Sequence, residues 1–182
     1  MKTISIILAA CCLFFFSFSC PAYSAINAFL EIDGIDGESE DPAYEDWIDI
    51  VSWSWQISNP NANSRGSGSG AAIVRPLIVT KYIDKASPAI ALSVLLGKAI
   101  QDAKLVLKKP GTSYEHFRIE MTDVLIANVA PSGNLGDDRT IESVALVFSR
   151  ICYVYIPENI SNPGAPGAEI RRCFDIEKNA EI

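Results

Sequence analysis

Apolar positions recur at every second residue along most of this chain, the spacing of strands with one face buried. Residues 28–32 form a short strand of this kind. Between 47 and 57, Val51, Trp53, Trp55 and Ile57 fall on one face, and Ser52, Ser54 and Gln56 on the other. The tryptophan pair is expected to pack in the sheet core, since period-two aromatics turn inward in a half-buried strand; the other reading is a sugar-stacking platform. Residues 73–82 form the next strand, with Pro76 marking an edge or a bulge. Further strands follow at 104–108, at 115–126 with Phe117, Ile119 and Met121 inward and His116, Arg118 and Glu120 outward, and at 143–156 with Val144, Leu146 and Phe148 opposed to Ala145, Val147 and Ile151.

One segment breaks the period. Ser87 and Pro88 read as N-cap and first position of a helix. Ile90, Ala91, Val94 and Leu95 then form an apolar stripe, with Leu92 and Leu96 beside it and Gly97 near the end. The stripe is expected to lie on the sheet. The order is therefore β-β-β-α-β-β-β, with antiparallel neighbours because the connections are too short for most crossovers. Residues 59–70 are rich in Asn, Ser and Gly and form a long loop. Its glycines imitate a phosphate loop, but no Lys-Ser/Thr follows and no strand–loop–helix surrounds it. The run 162–167, with two Pro and two Gly, is a linker-like bend, after which residues 173–176 are expected to rejoin the sheet.

The N-terminus follows other rules. Met1-Lys2-Thr3 carries one positive charge, and residues 4–18 are apolar apart from Ser5 and Ser17. Pro21 and the small residues Ala22 and Ser24 follow, so residues 1–24 read as a secretory signal peptide cut between Ser24 and Ala25. A transmembrane span needs roughly 20 apolar residues, and this run is shorter. A lipobox-like stretch ends at Cys11, but too little apolar core precedes it. Cutting removes one lysine and no acidic residue, so 14 basic and 22 acidic residues remain in 158, a net charge of −8. That suits one domain, residues 25–157, with a tail at 158–182.

Charge and cysteines then narrow the chemistry. An acidic chain without a Lys/Arg cluster is not expected to bind nucleic acid or to keep a stable membrane anchor after cleavage. Lys108-Lys109 and Arg171-Arg172 read as isolated solvated pairs. Of five cysteines, three leave with the leader, and Cys152 and Cys173 are expected to form a disulfide in an exported domain. Spacing and a single histidine, His116, disfavour zinc. No cofactor or metal is expected, and no nucleophile–base pair suggests an enzyme. Asp137-Asp138 reads as a turn that caps its own backbone or pairs with Arg139. The acidic run 38–49 lacks the ligand spacing of a calcium loop and reads as a solvated face.

Several segments, taken in order, resemble the haemolysin-coregulated protein (Hcp) family, the tube proteins of type VI secretion. They are residues 29–39 (FLEIDGIDGES), 50–55 (IVSWSW), 80–88 (TKYIDKASP), 136–139 (GDDR) and 142–148 (ESVALVF), spanning about residues 28–156. The resemblance implies a mainly β fold, a β-barrel of two antiparallel sheets with one α-helix docked on its side. It implies homo-hexameric rings that stack into a tube, effector cargo as a partner, and a loop near 59–70 that contacts adjacent subunits. Tube proteins loaded in the cytoplasm need no leader, so an exported structural protein, periplasmic or secreted, is the first expectation. A secreted ligand-binding or toxin-like module on the same barrel, using exposed Trp47 or tyrosines, is the second.

Overall fold

The computed structural model describes residues 27–60, 72–109, 112 and 114–182; Ser24, Ala25 and most of the 59–70 loop lie outside them. The alternating segments become strands β1 (Asn27–Ile32), β2 (Ile48–Ser54) and β5 (Leu77–Tyr82). After the helix come β6 (Ala99–Lys108), β7 (Glu115–Ser132) and β8 (Ile141–Tyr155). Every pairing is antiparallel, in the order β8-β5-β2-β1-β6-β7, and β7 pairs again with β8 to close a six-stranded barrel. Closure leaves these strands without a bare edge over most of their length. Its interior is filled by Leu30, Ile48, Leu77, Val79, Leu105, Ile119, Met121 and Leu146, among others.

The strand count is larger than the alternation suggests. Two short strands, β3 (Ile57–Ser58) and β4 (Ile73–Val74), pair at the base of the 59–70 loop. The C-terminal segment rejoins the sheet as β9 (Ile170–Asp175) on the outer edge of β8, with β10 (Ala180–Glu181) beyond it. Cys152 and Cys173 stand directly opposite in the β8–β9 register and are joined by a disulfide, their Cα atoms 4.0 Å apart.

Alternation slips at several places where a simple period predicts continuity, and two of them change the expected faces. On β2 the register shifts between Ile50 and Ser52, so Val51 is the extra residue of a β-bulge. Ile48, Ile50 and Trp53 therefore turn inward, while Val51 and Ile57 are exposed, contrary to the single face expected for them. The second slip runs across three strands at one level. Inward positions pass from Ile100 to Ala103 on β6, from Met121 to Val124 on β7 and from Phe148 to Ile151 on β8. Ile151 thus shares the core with Val144 and Leu146 instead of opposing them. The outward pairs at this corner are tied: Thr122 Oγ1 donates to Asp102 (3.1 Å) and Arg150 to Asp123 (2.8 Å). Asp123 takes φ 55°, a left-handed conformation that Asp tolerates better than most residues.

Helix α1 (Ser87–Leu96) carries the chain from Tyr82 to Ala99 and packs mainly on β7. Pro88 lies in its first turn as expected, but the N-cap is Ala86 and makes no side-chain cap. Ser87 is one residue too far in to cap, and its hydroxyl is used elsewhere: it accepts from the Asp84 amide (3.1 Å) and donates to Glu142 (2.7 Å). Gly97, at φ 58°, ends the helix, with amides 97 and 98 bonding back to Val94 and Ser93.

Ser87 belongs to a buried ionic cluster. The Lys81 ammonium, fully buried on β5, donates to Glu142 (2.8 Å) on β8, Asp84 (2.7 Å) and the Tyr82 carbonyl (2.8 Å), with Ser87 Oγ at 3.1 Å. A buried charge is tolerated when its protons are all placed. Lys81→Met leaves two carboxylates buried without their cation, and is expected to lower unfolding free energy by about 3–5 kcal/mol in urea titration. Replacing both cysteines by alanine opens a loop with a sequence separation of 21. The same titration should then show a loss of about 3 kcal/mol, with the wild-type protein falling to the same level under reductant.

Candidate assembly surfaces

Outward side chains divide the barrel wall into two halves of opposite character, on either side of the corner at Asp102, Thr122 and Arg150. The upper half is covered and charged. Phe29 and Val106 point outward from β1 and β6 yet are buried, because the 33–47 loop folds over them. Tyr44 stacks on Phe29 at 4.4 Å, and Trp47 meets Tyr44 edge-on at 5.1 Å. Gly37 lets this loop close: a Cβ there would lie 2.2 Å from the Trp47 carbonyl oxygen. Asp41 accepts from Lys108 (2.7 Å), and Lys85 reaches Asp46 (2.6 Å). The acidic run is thus a folded, paired loop and not merely a solvated face. Among the described residues, no group of three or more His, Cys, Asp or Glu is placed to hold a metal.

Further round, Arg118 on β7 pairs with Glu115, Glu120 and Glu169, and Arg171 on β9 reaches Glu120 across β8. The two basic pairs of the sequence are therefore engaged: Lys108 with Asp41, Lys109 with Glu158, Arg171 with Glu120 and Arg172 with Glu181. Burial raises the cost of ionising Glu120, but hydrogen bonds from Arg171 and Arg118 outweigh it and hold its pKa below the usual value. Asp41 is held low by the Lys108 hydrogen bond. Burial opposes the Arg118 charge, and its bonds to Glu115 and Glu120 more than compensate.

The lower half is bare and uncharged. Two rows cross four strands in register: Ser52, Thr80, Ser143 and Ala130; then Ser54, Ile78, Ala145 and Asn128. Leu125 and Val147 continue the same face. No side chain in either row is ionisable, in a chain whose residues are 20% charged. An outward, partly exposed sheet face without charge has the composition of a contact surface, since charged residues are depleted at the centres of interfaces. Outward Ser52, Ser54, Thr80 and Ser143 are all visible in the sequence; what hides the face is the register that aligns them.

The remaining candidates are structural. Trp53 stacks on Phe117 (5.7 Å), and Trp55 leans on Tyr153 and Phe148; both pack against the core, as expected. Trp47 is partly buried, with the Lys104 ammonium over its ring. Asp137 accepts from the Asn134 amide (2.8 Å), the self-capping turn anticipated, while Arg139 stacks on Tyr82 at 4.0 Å instead of pairing with it. His116 is half-buried, and its Nδ1 has no hydrogen-bond partner. No described helix is long and apolar enough to cross a membrane.

Comparison with known proteins identifies the family to which this barrel belongs. The family model described as "Type VI secretion system effector, Hcp" matches residues 29–155. The Pseudomonas aeruginosa protein hcp1 is 34% identical over 161 residues, 86% of this chain and 99% of the relative. The crystal structure of Hcp1 from Salmonella typhimurium superposes with a TM-score of 0.73 at 35% identity, covering 87% of this chain and all of that one. A type six secretion system protein reaches a TM-score of 0.80 at 24% identity, a likeness of fold. The chain belongs to the Hcp family of type VI secretion proteins, a family of secreted structural proteins, not enzymes.

Carboxylates held below their unfolded pKa contribute stability that is complete above that value and is lost as pH falls through the folded one. Glu120 and Asp41 are both of this kind, so thermal stability should drop on acidification below about pH 4, near the ordinary carboxylate range. Glu120→Gln should be less stable at pH 7 and show a shallower acid limb in thermal scans from pH 7 to pH 2.

Proposed function

We propose that this chain is an exported, non-enzymatic Hcp protein that loses residues 1–24 and assembles as homo-hexameric rings, a tube component or effector carrier of a type VI system. The uncharged sheet face carries the reading. On an exported domain of net charge −8, solvent-facing strand positions free of charge across four strands invite self-association unless a partner covers them. Membership of a family of ring-forming proteins supports a ring as the form. Residues 25–157 are read as the barrel and 158–182 as its tail, stapled by Cys152–Cys173.

The leader is supported by the Cys152–Cys173 disulfide, because structural disulfides persist in oxidising compartments. The periplasm is the first destination this implies, with effector cargo and other copies of the chain as partners.

Light scattering on the exported protein should give six times the mass of the 158-residue chain, and its N-terminus should read Ala25. Ile78→Lys, on the exposed face and away from the core, should shift the species to monomer while leaving the circular dichroism unchanged. A strict monomer at high concentration would overturn the ring reading, and an intact Met1 would overturn the leader.

A further inference from the structure

Strand β8 has two edges that are filled differently. Along one, β7 pairs with it from Ile141 to Tyr155. Along the other, β5 takes residues 141–146 and β9 takes residues 150–155. Without β9, the stretch Ile151-Cys152-Tyr153-Val154-Tyr155 would be a bare edge. It carries no charge and is built of β-branched and aromatic residues around one cysteine, the composition of an edge that recruits another strand.

The strand covering this edge has little else to hold it. Among the described residues its sheet neighbours are β8 and the short β10. Ile170, Arg171 and Arg172 are exposed, and Phe174 is the large apolar side chain it packs against the core. Arg171 with Glu120, and Arg150 with Asp175, brace it by charge. The Cys152–Cys173 bond is the one link that thermal fraying cannot open.

That bond is placed where a reagent can reach it. Ile151 and Phe174, beside the cysteines in the register, turn to the core, so Cys152 and Cys173 face outward, with Glu120 next across on β7. Both cysteines are only half-buried. Arg150 lies two residues from Cys152 on this face, and Arg171 two residues from Cys173. Positive charge nearby favours the thiolate released when a disulfide breaks.

We propose that Cys152–Cys173 is a redox latch. A dithiol reductant opens it in the folded protein, β9 and β10 undock, and the 151–155 edge is uncovered while the barrel stays closed. One thiolate of the reductant attacks one sulfur, the S–S bond breaks, and the other sulfur leaves as a thiolate and takes up a proton. The second thiol of the reductant then displaces the first sulfur. Two electrons have passed, leaving two protein thiols and the disulfide of the reductant. The barrel closes through β7 and β8 without β9, so the latch governs one edge and not the fold. It goes beyond the ring reading and does not depend on it.

The test compares the oxidised exported protein with the same protein in dithiothreitol without denaturant, and with the double variant Cys152→Ser, Cys173→Ser. Alkylation should label both cysteines of the reduced protein while its circular dichroism is retained. Trypsin should cut after Arg171 or Arg172 about a hundredfold faster once the bond is open, the scale expected when closure of a loop of this length is lost and cleavage tracks local opening. Deuterium exchange over minutes should reach residues 170–182 in the reduced protein and in the double variant, with residues 100–107 and 117–126 still protected. A bond that dithiothreitol cannot reduce until the protein unfolds overturns the latch. So does a tail that resists trypsin equally in both states, or a barrel that loses protection together with the tail.

Discussion

A lysine that cannot reach water organises the lower end of this barrel. Lys81 projects from β5 into a site closed by Glu142 of β8, Asp84 of the connection and Ser87 of α1. Removing a charge from water is costly, and the cost is offset only when every proton finds an acceptor at good distance. The requirement sets more than its own site. It ties β5 to β8 and to the start of the helix, where Ser87 gives its hydroxyl to the cluster. The segments 80–88 and 142–148, which carry much of the family resemblance, are far apart in sequence and meet here. Their shared residues thus have a physical reason to be shared.

The helix answers to the same constraint at its start: Ser87 completes the ionic cluster, Ile90 and Val94 pack on the core, and Leu92, Leu95 and Leu96 are left facing solvent. Elsewhere the wall shows a division of labour. Above the Asp102–Thr122–Arg150 corner, charges are paired and Phe29 and Tyr44 are buried with the 33–47 loop. Below it, small and uncharged residues face outward in two aligned rows. The absence of charge there leaves a surface whose burial requires no ion to be desolvated.

Much of the barrel was legible from alternation alone, because a strand with one buried face writes its period into the sequence. The helix position, the Cys152–Cys173 pair and the Asp137 turn were legible for equally local reasons. What escaped was non-local. Val51 looked like a core residue because a bulge inserts one residue without any marker such as Gly or Pro. Ile151 was assigned to the wrong face because the corner shifts the phase of three strands together, and only the register between them reveals it. Helical spacing placed Ile90 and Val94 against the barrel, where they pack, but it set Leu95 in the same stripe, and Leu95 faces solvent. Nothing in the sequence around Lys81 marks it as buried; Glu142, which partners it, lies 61 residues away. The uncharged face likewise exists only across strands, as an alignment of serines and threonines that are individually ordinary.

The disulfide links these levels. Strand β9 joins an already closed barrel by one ladder to β8, with Arg171–Glu120 bracing it across that strand. Such an added edge strand is where fraying begins, since it has fewer buried contacts than the barrel strands. A covalent bond at the middle of the ladder restricts that opening, and two thiols close into that bond only where an oxidant is supplied.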